Sequence, residues 1–223
     1  MCGIVGYTGS LQAKDVLLEG LKRLEYRGYD SAGIAVFDGE KLNIVKRLGK
    51  VSELVDAIGD EACIGTCGIG HTRWATHGAP SERNAHPHTS CASDIAVVHN
   101  GIIENFSELR EELIGLGHHF ESDTDTEVVA HLVEQAYNGN LLEAVRIAAS
   151  RLVGAYGLAV TCEQEPGTIV VTRKDSPIVL GHGESGSYVA SDIIAVIEAT
   201  RDVVIMEDNQ FAVMTPDAIT YFD

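Results

Sequence analysis

Three helical patterns follow one another between residues 106 and 152, while most other apolar segments of the chain repeat with the period of a β-strand. The helical sets are Phe106, Leu109, Leu113; then Val128, Val129, Leu132, Val133; then Leu142, Val145, Ala149, Leu152. Such spacings put apolar side chains on one helix face. Upstream, residues 2–7 read as a strand, and Leu17, Leu21 and Leu24 recur at helical spacing until Arg27-Gly28 ends the pattern. Residues 32–37 and 42–48 flank the turn signal Asp38-Gly39 as a hairpin, followed by a short helix at 54–58 and a strand near 63–71. A strand at 95–100 runs into Gly101. Beyond Ala155, strands are expected at 158–161, 169–172, 178–180, 203–206 and 211–214, with a helical segment near 193–198. Many antiparallel strands with segregated helices predict an α+β chain built in layers, most simply two sheets face to face with helices outside.

A length of 223 residues suits one domain spanning 1–223, and nothing in it reads as a linker or repeat. Sixteen basic residues against 33 acidic ones leave a formal charge of −17, which argues against nucleic-acid or anionic-membrane partners. The start lacks a signal-peptide pattern and about eighteen apolar residues never run together, so a soluble cytoplasmic protein is expected. Cys2, Cys63, Cys67, Cys91 and Cys162 are odd in number and irregularly spaced, which speaks against a disulfide framework and for mostly buried thiols.

Cys2 carries the chemistry of interest. By itself a cysteine after the initiator methionine reads as a small buried hydrophobe. Once Met1 is removed, however, it bears both a thiol and a free α-amine of ordinary pKa about 8, so one residue supplies nucleophile and base. Attack on a carboxamide would require an oxyanion hole, for which Asn100-Gly101 offers an amide side chain and a closely approachable backbone; the competing reading is an ordinary Asn-Gly turn. A free amino-acid substrate calls for opposite charges. Arg73, Thr76 and His77 lie on a loop of over twenty residues without periodicity (72–94), and Asp125 lies in Ser122-Asp123-Thr124-Asp125-Thr126-Glu127 at a helix start. For one of Asp123 and Asp125, plain helix capping is the simpler reading.

Six ordered segments then carry a resemblance: Met1-Cys2-Gly3-Ile4-Val5-Gly6, Leu24 to Gly33, His71 to Gly78, Asn84-Ala85-His86-Pro87-His88, Val98 to Asn105, and Thr124-Asp125-Thr126-Glu127. Together they resemble the glutaminase domain of the class II glutamine amidotransferases, specifically the glucosamine-6-phosphate synthase (glutamine:fructose-6-phosphate amidotransferase) family. The resemblance implies a four-layer αββα sandwich of the N-terminal nucleophile (Ntn) hydrolase type and L-glutamine as substrate. It implies Cys2 as nucleophile, Asn100 and Gly101 as oxyanion hole, and Arg27 close to the N-terminal cysteine. Arg73, Thr76, His77 and Asp125 would form the glutamine pocket, with Trp74 on a mobile loop closing over it. Family enzymes continue into sugar-phosphate isomerase domains that accept the ammonia; the sequence stops at Asp223 before any such domain, so glutamine hydrolysis is expected here and synthesis elsewhere. The stretch Thr89-Ser90-Cys91-Ala92-Ser93-Asp94 looks longer than usual.

No cofactor is expected, and no metal: His86-x-His88-x-x-Cys91 could supply imidazole and thiolate ligands, but there is no CxxC pair and the histidines belong to the family motif. A second alternative, a non-catalytic glutamine-binding module, would need the charged pocket but no free N-terminal amine, which N-terminal mass spectrometry would distinguish. Among enzymes, the glutaminase domains of phosphoribosylpyrophosphate amidotransferase and asparagine synthetase resemble this start in beginning with Cys-Gly, but Arg27 to Gly33 and Arg73 to Gly78 favour the glucosamine-6-phosphate branch.

Overall fold

In the strand β1 (Gly3–Gly9) successive side chains part company: Ile4 turns into one apolar cluster, while Val5 and Tyr7 enter another. This period-2 division recurs throughout the computed structural model, which describes residues 2–59 and 63–223. The remaining elements, in chain order, are α1 (Ala13–Leu24), β2 (Ser31–Phe37), β3 (Leu42–Leu48), α2 (Val51–Ile58), β4 (Cys67–Arg73), β5 (His88–Thr89) and β6 (Ile95–Ile103). There follow α3 (Phe106–Gly115), α4 (Glu127–Ala136), α5 (Leu141–Arg151), β7 (Gly154–Cys162), β8 (Ile169–Lys174) and β9 (Val179–Gly183). Last come β10 (Gly186–Ala190), β11 (Val203–Ile205), β12 (Phe211–Met214) and β13 (Ile219–Phe222).

The strands form two sheets, one of seven in the order β11-β9-β10-β1-β4-β2-β3 and one of six in the order β13-β12-β8-β7-β6-β5, with antiparallel pairing throughout the named strands. Three clusters define the layers. Val5, Leu17, Leu21, Ile34 and Leu54 pack the seven-stranded sheet against α1 and α2. Val97, Leu113, Val129, Val145 and Leu158 pack the six-stranded sheet against α3, α4 and α5. Between the sheets lie Ile4, Ile69, Val98, Val171, Leu180 and Val189 with the smaller Ala35, Ala96, Ala159 and Ala212, which allow the two faces close approach. The expected α+β layering is therefore a four-layer αββα sandwich. With both faces of each sheet covered, the central strands are buried almost throughout, which is why β1 and β2 read as near-continuous apolar runs.

Several expectations need correction. The strand near 63–71 begins at Cys67. The segment near 193–198 is no α-helix but a 3₁₀ turn over Ile193–Ala195, and Ile193, Ile194 and Ile197 stay exposed because the turn is too short to bury them. β10 and β13 escaped the pattern. The loop after β4 contains β5, paired as His88↔Val97 and Thr89↔Ala96. All five cysteines are free thiols, three of them buried, with Cys2 half-buried and Cys91 exposed.

Candidate active site

Cys2 immediately precedes β1, and the pairing of Gly3 with Thr72 brings it to the end of β4. A side chain at Gly3 would meet Thr72 Oγ1 at 2.6 Å and Leu24 Cβ at 2.9 Å, so the glycine lets the chain terminus lie flat against both. The Trp74 N–H donates to Cys2 Sγ at 3.2 Å, and the thiol faces Trp74 O at 3.5 Å. Burial pushes the Cys2 thiol pKa up, and the Trp74 N–H opposes this only in part. The resting group is thus the thiol, and its activation requires a base.

From the opposite sheet, Asn100 donates through Nδ2 to Cys2 O at 3.3 Å and accepts through Oδ1 from His71 Nε2 at 2.9 Å. Because a carboxamide oxygen can only accept, this contact sets His71 as the Nε2–H tautomer. Burial without a countercharge lowers the His71 pKa to about 3, keeping the ring neutral. His71, which sequence reasoning left without a role, is therefore a buried donor that fixes which way the Asn100 amide points. Asn100-Gly101 is not a turn: β6 continues through it to Ile103, with Asn100 opposite Gly157 and Gly101 opposite Tyr156. Gly101 has φ +129°, and a Cβ there would sit 2.0 Å from Ala155 O, so only glycine fits.

Arg73, Trp74, Thr76 and His77 join Cys2 in lining a small cleft, together with Gly101, Thr124, Asp125, Thr126, His86 and His99. The buried Arg73 guanidinium ties down the loop that follows it, donating from Nη2 to His77 O and, at 2.9 Å, to Gly78 O. Its Nη1 lies 3.6 Å from Asp30 Oδ1 and makes no hydrogen bond among the described residues. Asp30, also unsuspected, accepts from the Ala75 N–H. Asp125 accepts the Ile103 N–H at 2.8 Å and faces His77 Nδ1 at 4.0 Å. Neither Asp123 nor Asp125 caps α4: Thr126 occupies the N-cap position without a side-chain bond to the helix backbone, Asp123 pairs with Arg83, and Asp125 is turned toward β6. Thr126 Oγ1 also joins His86 Nε2 at 2.9 Å to His99 Nδ1 at 2.8 Å beneath the cleft. Trp74 is half exposed and lies over Gly28.

Of the predicted site residues, only Arg27 and Asn100 are outside the cleft lining. Asn100 reaches the site through its bond to Cys2. Arg27 instead holds the end of β10, donating to Ser191 O at 3.2 Å and approaching Asp192 at 3.7 Å. Ser191 in turn accepts the Ile4 N–H through Oγ at 3.0 Å, linking Arg27 to the segment that carries Cys2.

A layered sandwich with a thiol at the start of a central strand defines a class. Residues 71–198 match the glutamine amidotransferase domain family, and the chain belongs to that family. The fold is that of the Ntn-type class II enzymes. A B. subtilis glutamine phosphoribosylpyrophosphate amidotransferase structure superposes with a TM-score of 0.85 at 27% identity, over 99% of this chain and 49% of that one. A structure described as the allosteric regulatory enzyme of purine biosynthesis gives 0.86 at 28%, over 99% and 48%. Sequence similarity is higher to glutamine–fructose-6-phosphate aminotransferases (isomerizing). The chain is 51% identical to that of Clostridium tetani over all its 223 residues, 54% to that of Symbiobacterium thermophilum over 220, and 52% to that of Thermus thermophilus over 223. It spans about 37% of the length of these relatives.

Proposed function

We propose that the chain hydrolyses L-glutamine with the thiol of its own first residue. After Met1 is removed, the Cys2 α-amine takes the thiol proton, directly or through a water, as Sγ attacks the side-chain carboxamide carbon. Asn100 Nδ2 and the Gly101 N–H hold the resulting oxyanion. Collapse breaks the C–N bond, the ammonium returns its proton to the leaving nitrogen, and ammonia departs to leave a glutamyl thioester. Water, deprotonated by the same amine, releases glutamate and restores the thiol. The sequence uses no cofactor.

The single observation that carries this reading is the Asn100 amide, oriented by His71 and directed at Cys2 across the sandwich. Arg73 suits the substrate carboxylate and Asp125 its ammonium, with Thr76 and His77 between them on the loop. Trp74 closes the cleft, and Arg27 braces the strand that presents Cys2. The names of the relatives support a finer proposal: the ammonia passes to fructose 6-phosphate, forming glucosamine 6-phosphate on isomerase domains outside residues 1–223. A cytoplasmic enzyme without nucleic-acid partners fits the charge of −17, and among the described residues no helix is long and apolar enough to cross a membrane. The test is glutamate release by chain shown to start at Cys2, supplied with glutamine alone. Release without sugar phosphate is expected; none from folded material would overturn the proposal.

A further inference from the structure

The stretch after β5 folds over the outer helical layer. Ser90 Oγ donates to Asp94 Oδ1 at 2.6 Å, Ser93 takes φ +60°, and the resulting bend holds Cys91 against the connection between α3 and α4. Cys91 does not meet His86 or His88, which lie in the network beneath the cleft. Its Sγ lies 3.7 Å from His118 Nδ1 and 3.5 Å from His131 Nδ1, and both ring nitrogens converge on Glu134 Oε2, at 3.0 and 3.3 Å. All four donor atoms lie within 4.8 Å of one another.

We propose that Cys91, His118, His131 and Glu134 form a structural zinc site. Bonds of about 2.3 Å to sulfur and about 2.0–2.1 Å to nitrogen and oxygen at tetrahedral angles require S···N edges of about 3.6 Å and N···O edges of about 3.4 Å. Three of the four distances, 3.7, 3.5 and 3.3 Å, lie close to those edges, and the fourth, His118 Nδ1 to Glu134 Oε2 at 3.0 Å, would lengthen by a few tenths of an ångström on binding. A hydrogen-bonded His–Glu pair alone has no need of a thiol against both imidazoles, because sulfur is a weak partner; a soft ligand beside two imidazoles is a zinc donor set.

The surroundings fit as well. His131 is buried, and its second nitrogen, Nε2, makes no hydrogen bond among the described residues but lies 3.6 Å from Glu127 Oε1, so that a small shift gives the carboxylate–histidine pairing that orients a metal-bound ring. The Cys91 and Ala92 N–H groups donate to the Glu134 carboxylate at 3.1 and 3.4 Å, and the His119 N–H donates to Cys91 Sγ at 3.4 Å. Zinc replaces the thiol proton, and thiolate and carboxylate together balance its charge. Four protein ligands close the coordination shell, so the ion's work is structural. It pins the 90–94 loop to α4, the helix whose first turn follows Asp125.

Chelator-stripped chain loaded with zinc and passed through gel filtration should retain one zinc per chain, and Co²⁺ should give a tetrahedral spectrum with a thiolate charge-transfer band. Both should persist in Cys2→Ala and vanish in Cys91→Ser, whose exposed site leaves folding intact by thermal melt. Glu127→Gln should weaken zinc binding about 10–100-fold. Failure of the stripped chain to retain zinc, or a thiolate band that survives Cys91→Ser and is lost in Cys2→Ala, would overturn the site.

Discussion

Replacing Asn100 separates its catalytic part from its structural one, because its two amide atoms face different partners. Asn100→Ala removes the Nδ2 donor aimed at Cys2 and also the acceptor of the His71 N–H. Loss of one oxyanion donor costs about 2.7–4 kcal/mol in the transition state, so kcat should fall about 10²–10³-fold while glutamine binding hardly changes. The orphaned His71 N–H costs a further ~1–3 kcal/mol of stability. In a chain this size that lowers Tm by about 2–12 °C. Asn100→Asp resolves the two effects: it still offers His71 an acceptor but supplies no donor to the oxyanion. It should therefore keep more of the stability than the alanine variant and lose at least as much of the rate. The assay is initial glutaminase rate at saturating glutamine, normalised to folded protein by thermal melts, with glutamine Kd measured by calorimetry in a Cys2→Ala background. A kcat per folded molecule within about threefold of wild type in both variants would remove Asn100 from catalysis, since the predicted loss begins near 10²-fold.

Arg73→Ala should raise KM about 10–150-fold, from loss of a charge-assisted contact of about 1.5–3 kcal/mol, with a parallel loss of loop order because the same group holds His77 O and Gly78 O; an unchanged KM removes it from the pocket. Asp125→Asn keeps an acceptor for the Ile103 N–H but loses the charge, so steady-state kinetics should show KM raised more than kcat is lowered. Gly101→Ala places a methyl 2.0 Å from Ala155 O at φ +129° and should lower both Tm and the yield of folded protein. His71 is held neutral, with its pKa lowered to about 3 against about 6.5 unfolded. Between those values the unfolded chain binds the extra proton, so stability falls as pH drops from 6.5 toward 3, by about 2 kcal/mol at pH 5 from this one residue. Melts at pH 7 and pH 5 should show that loss, reduced in His71→Gln, and equal losses in the two proteins would contradict it.

The helices were legible because α3 and α5 bury one face against a sheet, leaving the 3.6-residue period intact, while α4, buried all round from Glu127 to Val133, still carries its apolar residues at helical spacing. β10 was not, because Gly-Ser-Tyr-Val-Ala is buried on both faces and shows neither alternation nor β-branched enrichment. The turn at Ile193–Ala195 misled for the opposite reason, since its isoleucines are apolar without being covered. At the site, charge and chemistry made Cys2, Arg73 and Asp125 candidates, with a buried thiol and a helix cap as the competing readings, and the family resemblance gave them their expected roles. His71 and Asp30 could not be named in this way, as their work is to hold Asn100 and the Ala75 N–H through pairings 29 and 45 residues away. Cys91 is the extreme case: its partners lie 27 and 40 residues along the chain, and no local spacing announces them.

The nucleophile itself is tested most directly by an electrophilic glutamine analogue and peptide mapping, on chain beginning at Cys2 and on chain retaining Met1. A single adduct on Cys2 is predicted in the first material and little or none in the second, whose Cys2 nitrogen is an amide without basicity. Labelling at Cys63, Cys67, Cys91 or Cys162, or equal labelling of Cys2 with Met1 still attached, would contradict a mechanism in which one residue supplies both nucleophile and base.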